Sequence, residues 1–449
     1  MKFIRFTRVY FNTITLISQN IISVAKSTFL SYNNHLMKVT DVKAIEILDS
    51  RGNPTVRAFV TLDDGSIHSA SVPSGASTGA HEAAELRDDD NSRYKGKGVL
   101  KAVDNVNSKI KQAIVGKEAD PNIIDTIMLE LDGTENKTNL GANAILSVSQ
   151  AVVRAAAHVS KKPLWEFMND YYFKGQKVDF PRLLVNIVNG GKHASWNFDI
   201  QEFMVVPNTN RPSEAIRIAA EIFHSLGKYF HDKNLSTLVG DEGGYSPLLS
   251  SNEEVLKTIV EAAKDAGYEN VKDYRLSLDV ASTEFFKDGK YEFKKQNRWL
   301  TPDELTEYYS QIGQEYKILS FEDAFSEDDW EAHKKFQEMA DKFEFITIGD
   351  DLFVTNPKRI QKGIDEKAAN AVLIKVNQIG SIKETVEAIN MTHKAGWKTA
   401  ISHRSGETED NFIADLSYAC ASEFIKTGSM SRSERLSKYN RLIEIENNL

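Results

Sequence analysis

Four short apolar runs between positions 275 and 377 each end on a charged side chain. They are Arg275-Leu-Ser-Leu-Asp279, Lys317-Ile-Leu-Ser-Phe-Glu322-Asp323, Phe345-Ile-Thr-Ile-Gly-Asp350-Asp351 and Ala371-Val-Leu-Ile-Lys375. Carboxylate oxygens are the hard donors that Mg2+ takes, so Asp279, Glu322 and Asp350 form a candidate ligand set for a divalent metal. Lys375, inside an apolar stretch, would face that metal. The bland alternative is that a strand-end acid caps the helix that follows. It accounts for any one of these acids. Three in succession, followed by a lysine, favour a site.

Other groups could join that chemistry. The run Val239-Gly-Asp-Glu-Gly-Gly244 sets Glu242 among glycines, either as a tight surface turn or as a carboxylate on a loop, ready for general acid or base work. Asn189-Gly-Gly-Lys-His193 and Gln201-Glu202 fall at the ends of two further apolar runs. A lone histidine is more often structural, although His193 follows a Gly-Gly pair. Ser402-His403-Arg404-Ser405 offers an anion clamp, since arginine grips phosphate with two parallel hydrogen bonds and serine adds a third. A solvated loop explains those residues equally well when they are taken alone. Lys426 places a second lysine at the last apolar run. Pro73-Ser-Gly-Ala-Ser-Thr-Gly79 is built of small residues and could fold over a ligand or simply link two elements.

These residues need a scaffold that brings run ends together. Each run is too short for a buried helix and rich in β-formers, so each reads as a strand. Helical spacing separates them, as in Ile382, Val386 and Ile389. Strand, helix, strand implies a parallel sheet, and in a β/α barrel the carboxyl ends of the strands form the rim that carries active sites. Residues 180–449 suit a (β/α)8 barrel, whose typical length is about 250. Its eight strands are expected at Leu183–Val188, at Phe203–Val206, near 275, 317, 345, 371 and 397, and at 424–426. Helices are expected at about 211–233 and 252–267, between the second and third strands. Thr237–Gly240 also looks strand-like, but glycines follow at once and it reads as a loop. Residues 37–175 read as an α+β domain. Strands are expected at Val42–Leu48, Thr55–Leu62 and Ser66–Val72, the last two joined across Asp63-Asp64-Gly65, followed by helices near 98–116, 120–131 and 139–160.

Composition narrows the function classes. The 449 residues are 41% hydrophobic and 27% charged with net charge −9, which excludes the basic face of a nucleic-acid binder and suits a protein that binds cations. No apolar run reaches the length of a membrane span. The single cysteine, Cys420, lies on an apolar helical face and reads as core packing in a reducing, cytoplasmic compartment. Residues 1–36 carry Lys2, Arg5, Arg8 and Lys26 and no acid. They read as an organelle transit peptide, as a stretch upstream of a true start at Met37, or as a poor secretory signal, and as disordered in each case.

In order along the chain, Asp49-Ser-Arg-Gly-Asn-Pro-Thr-Val56, Ser74-Gly-Ala-Ser-Thr-Gly79, Gln201-Glu-Phe-Met204, Gly240-Asp-Glu-Gly-Gly244, Leu373-Ile-Lys-Val-Asn-Gln-Ile-Gly380, Ser402-His-Arg-Ser-Gly-Glu-Thr408 and Lys426-Thr-Gly-Ser-Met-Ser-Arg432 resemble the enolase family from about Met37 to the end. The resemblance implies a ββαα(βα)6 barrel beneath an N-terminal capping domain. It implies reversible dehydration of 2-phosphoglycerate to phosphoenolpyruvate, with Lys375 as the base at C2 and Glu242 as the acid at the C3 hydroxyl. It assigns Asp279, Glu322 and Asp350 to a first Mg2+. His193, Gln201, Glu202, His403, Arg404, Ser405, Lys426 and Ser74 would surround the substrate. The region of Ser74 would close and help to hold a second Mg2+ that arrives with substrate. Nearby cations are expected to push Lys375 below its ordinary pKa of about 10.4, so that it can act as a base. A homo-oligomer, dimer or octamer, is implied, as is a secondary role as a surface-displayed binding protein. Ala324 departs from the family's usual Pro or Gly, and Ser195-Trp196 from its smaller or more polar residues. The nearest rival activity is a sugar-acid dehydratase of the same barrel superfamily, which lacks the Ser74–Gly79 and Gly240–Gly244 stretches.

Overall fold

The structure, a computed structural model, describes residues 37–75, 79–194 and 196–449. The targeting readings of 1–36, the centre of the proposed closing loop and Ser195 lie outside the described residues, as does the side chain of His193.

The described residues open with an antiparallel sheet of β1 (Val39–Leu48), β2 (Pro54–Leu62) and β3 (Ile67–Ser71). Alternating burial along β2 shows why it is a strand: Val56, Ala58, Val60 and Leu62 point into the core while the residues between them are partly exposed. The helix Ala142–Val159 lies across this sheet. It is buried around nearly its whole circumference, because its small side chains let it pack on the sheet and on the barrel at once. At its start, a Cβ on Gly380 of the barrel would come 2.7 Å from Ala142 Cβ, so only glycine permits that approach.

The barrel strands are β4 (Arg182–Asn189), β5 (Glu202–Pro207) and β6 (Tyr274–Asp279), then, after a small hairpin sheet of β7 (Phe286–Lys287), β8 (Lys290–Phe293) and β9 (Arg298–Leu300), β10 (Ile318–Glu322), β11 (Ile346–Gly349), β12 (Ala371–Ile374), β13 (Lys398–Ser402) and β14 (Phe424–Lys426). Strands β4 to β6 and β10 to β14 close in the order β10-β11-β12-β13-β14-β4-β5-β6. Side chains such as Leu184, Met204, Ile348, Leu373 and Phe424 fill the interior. All eight strands fall where the sequence places them, and Thr237–Gly240 is a loop with one bridge, Val239 to Tyr245.

One expectation needs correction. The sheet is not parallel throughout, since β5 runs antiparallel to both β4 and β6. No crossover helix joins β4 to β5, and a parallel pair requires one. Two helices, Pro212–Asp232 and Asn252–Asp265, then return the chain to the start of β6. Gln201 and Glu202 therefore stand at the beginning of β5, not at the end of a strand, and still reach the carboxyl rim. The hairpin β7–β9 and the helix Leu164–Phe173 were not expected. The hairpin strands are two to four residues long, too short to show a period. No described helix is long and apolar enough to cross a membrane.

Candidate active site

Strand register alone sets three carboxylates in a row on the rim. Glu202 pairs with Asp279 across β5 and β6, and Asp279 with Glu322 across β6 and β10. Asp350 follows the last residue of β11, and Lys375 follows β12. Lys426, at the end of β14, reaches into the row. Its Nζ donates to Asp279 Oδ2 at 2.8 Å and to Glu322 Oε1 and Oε2 at 2.8 and 2.9 Å, and it lies 3.2 Å from Glu202 Oε1. Lys375 donates to Asp350 Oδ2, and Gln378 Nε2 donates to Asp350 Oδ1 at 2.9 Å. Gln201, Glu242, His403, Arg404 and Ser405 line the same pocket.

Burial, reinforced by neighbouring carboxylates, pushes Glu202 and Glu322 well above the usual carboxylate range, with Lys426 opposing. Burial works against the Lys426 ammonium, but Asp279, Glu202 and Glu322 outweigh it and hold Lys426 well above its ordinary value. Burial and then Asp350 push Asp351 up to about 8.

The expected depression of Lys375 is not what the side chains produce. Burial lowers it most, and Arg404 and Lys426 add to that, but the neighbouring carboxylates, Asp350 first and then Asp351, leave it raised above its ordinary value. The sequence reading counted the cations around Lys375 and not its carboxylate partner.

The donor set fits a divalent cation. It is all oxygen, it is buried, and acids outnumber bases. Glu202 Oε2 and Gln201 Oε1 are buried with no hydrogen-bond partner among the described residues. Asp323, Asp350 and Asp351 also bring one oxygen each within 4.8 Å of one another. Asp323 is an unsuitable ligand, however. Its two oxygens accept the backbone N–H groups of Asp350 and Asp351 at 2.8 and 2.7 Å, so its carboxylate shapes the turn that presents Asp350. Asp279, Glu322 and Asp350 remain the better candidates.

Arg404 is buried and already holds an anion. Glu82 of the N-terminal domain accepts from both its terminal nitrogens, at 2.9 and 3.0 Å, and Asn377 Oδ1 accepts a third bond at 2.9 Å. The carboxylate of Glu82 thus occupies the anion-gripping fork of Arg404. Glu82 was missed in the sequence, and its only signal is its place three residues beyond the small-residue loop. The clamp loop is itself braced by the β1–β2 turn, where Ser50 N donates to Glu407 O at 2.7 Å.

Ser74 is not brought to the pocket. Its backbone pairs with Gly406 and its hydroxyl is engaged by Glu85 and Arg87, at 3.1 and 3.0 Å. Strand-like pairing turns its side chain toward those two residues, and Ser74 is not among the residues that line the pocket. His193 lies in the one-turn helix Gly191–Ala194 at the rim.

A closed barrel whose rim gathers buried carboxylates around Lys375 and Lys426, with an α+β domain over its mouth, has the architecture of a β/α-barrel enzyme with a candidate metal site. Two family models match the chain, "Enolase, N-terminal domain" over residues 39–168 and "Enolase, C-terminal TIM barrel domain" over residues 177–449. The chain belongs to the enolase family, whose reactions are of the Mg2+-dependent lyase type.

Proposed function

We propose that this protein is an enolase proper, which interconverts 2-phosphoglycerate and phosphoenolpyruvate plus water. The observation that carries this reading is that two proton-transfer groups line one pocket on separate supports. Lys375 is held by Asp350, and Glu242 accepts from Asn186 Nδ2 at 2.9 Å. Anti elimination across two adjacent carbons calls for such a pair, one group on each face of the substrate.

The proton at C2 lies beside an ionised carboxylate and is a very weak acid, because its removal concentrates negative charge. A lysine base with magnesium is the established arrangement of enolase-superfamily sites. Asp279, Glu322 and Asp350 would hold the first Mg2+. Bound Mg2+ supplies positive charge that neutralises the substrate carboxylate as that charge grows. Lys375, once it has lost its own ammonium proton, would remove the C2 proton, and Asp350 as a ligand of Mg2+ would no longer hold that ammonium. Lys426 adds a second positive charge at the row of acids. Glu242 gives a proton to the departing C3 hydroxyl. Arg404 and Ser405 take the phosphate, with Arg404 exchanging Glu82 for it. Gln201, Glu202, His193 and His403 complete the substrate's surroundings. This reading places the protein in glycolysis and gluconeogenesis as a cytoplasmic homo-oligomer, with a second Mg2+ bound alongside substrate.

The test is formation of the ultraviolet-absorbing enol phosphate from 2-phosphoglycerate by the purified chain. Activity should vanish in EDTA and return with Mg2+. Turnover of a sugar acid in place of 2-phosphoglycerate would overturn the proposal in favour of a related dehydratase.

A further inference from the structure

Arg435, in the C-terminal helix Ser433–Glu446, is fully buried behind the site without touching the pocket. Its Nη1 lies 2.6 Å from His403 Nδ1 and donates to Arg404 O at 2.6 Å. Its Nη2 donates to Ser405 O at 2.6 Å and to Asp241 O at 3.3 Å. Its ion-pair partner among the described residues, Glu434, sits 3.6 Å from Nε. Burying a guanidinium mainly against carbonyls, with its carboxylate neighbour at 3.6 Å and not hydrogen-bonded to it, is costly, so a packing role alone accounts for it poorly.

A guanidinium has donors and no acceptor. His403 Nδ1 must therefore be the bare nitrogen, and in the neutral ring Nε2 carries the proton. Nε2 faces Glu242 Oε1 at 3.6 Å, longer than a formed hydrogen bond, as catalytic contacts often are before substrate arrives. An imidazolium would oppose two N–H groups at 2.6 Å. The other charged groups facing His403 are Glu242, Lys426 and Lys375, and burial together with the three cations outweighs Glu242 and holds His403 well below its ordinary value.

We propose that Arg435 is a positioning residue that locks His403 as the neutral Nε2–H tautomer, giving Glu242 a fixed donor. That donor stabilises the carboxylate left as Glu242 releases its proton. Through Asp241 O and Ser405 O the same guanidinium ties the acid loop to the anion-clamp loop, so both keep one spacing. The catalytic consequence rests on the enolase reading above, whereas the tautomer does not.

The experiment uses the full chain labelled with 15N-histidine, with His403→Gln assigning the signals in a long-range nitrogen–proton correlation spectrum. The expected spectrum has His403 Nδ1 bare and Nε2 protonated, unchanged across roughly pH 6 to 8, where an ordinary histidine titrates. An Nδ1–H tautomer or an imidazolium in the unmodified protein would overturn the proposal, whether or not any variant folds. Arg435→Lys keeps the charge but not the fork. It is expected to release the tautomer lock and lower kcat roughly 100-fold, the scale of misplaced catalytic groups, with KM little changed and exchange of the substrate C2 proton retained. A folded Arg435→Lys protein with an unaltered His403 spectrum and an unaltered kcat would also sink it. If 2-phosphoglycerate is not turned over, the enolase reading fails, while the spectrum still decides the tautomer.

Discussion

Glu242→Gln should divide the reaction into its two proton transfers. The substitution removes a transferable proton and little else. Asn186 Nδ2 can keep donating, now to the amide oxygen, from 2.9 Å. The new NH2 would meet His403 Nε2, itself a donor, unless both amides turn over, so that the glutamine NH2 faces Asn186 Oδ1, which has no partner among the described residues. The loss in folding stability should then stay near the lower end of the roughly 1–3 kcal/mol that an unmatched buried polar group costs. The kinetic loss should be larger. A general acid contributes about 10²–10⁴ in rate, or about 3–5 kcal/mol of barrier. Lys375 is held by Asp350 and Glu242 by Asn186, so the base should survive the change. The assay pairs exchange of the substrate C2 proton in deuterated water with net formation of enol phosphate. Glu242→Gln should exchange and fail to dehydrate, and Lys375→Ala should do neither. Equal loss of exchange in both variants would refute the separation of roles.

Asp350→Asn removes one charge from the proposed Mg2+ ligands and the carboxylate that holds Lys375, so activity should fall and extra Mg2+ should restore it only in part. Unchanged turnover at low Mg2+ would remove Asp350 from the ligand set. Asp410 accepts two hydrogen bonds at 2.8 Å from Arg154 and one at 3.0 Å from Ser71 N. Burial opposes its charge, but Arg154 outweighs burial and holds its carboxyl at about 2. A depressed carboxyl lends stability that is present above its unfolded value of about 3.9 and is lost as pH falls through about 2. Asp410→Asn should therefore cost about 3–5 kcal/mol near neutrality, and progressively less below pH ~4, in denaturant titrations. In Gly406→Ala a Cβ would meet Asp49 Oδ2 at 2.6 Å and Ser74 O at 2.7 Å. Overpacking of about 1–3 kcal/mol and a raised KM for the phosphorylated substrate should follow, because Gly406 lies in the clamp loop. A calorimetric midpoint and KM equal to the unmodified protein's would show that the contact yields freely.

The strands and their terminal acids were legible because each short apolar run stops at a charge. Sheet register then does the rest, and Asp279 next to Glu322 follows directly from counting. The direction of β5 was not read from alternation, because period-2 burial is the same for a strand running either way. Ser74 and Glu82 show a different limit. Both flank one small-residue loop, but which of them meets Arg404 depends on the pairing of Ser74 with Gly406, a contact spanning 332 positions. Arg435 gave no sequence signal at all, since a buried arginine on an amphipathic helix reads like a surface one. The pKa of Lys375 was misjudged for the same kind of reason: its partner comes from a neighbouring strand.

The reversed β5 gives this barrel an unusual economy of connection. In a regular βα repeat each rim loop hands the chain to a helix, and a change in its length disturbs packing on the barrel's outside. Here the segment between Asn189 and Glu202 leaves the rim and returns to it with no α-helix among its described residues, although Phe198 and Ile200 pack beneath the helical coat and Ile200 N donates to Asn252 Oδ1 at 3.2 Å. It carries His193 and Gln201 and ends at the first acid of the row. Exchanges at its rim-facing positions would reshape the mouth, whereas exchanges at Phe198 or Ile200 would also be felt in the packing of the helical coat. The departure at Ser195-Trp196 falls inside this segment, two positions before the buried Phe198.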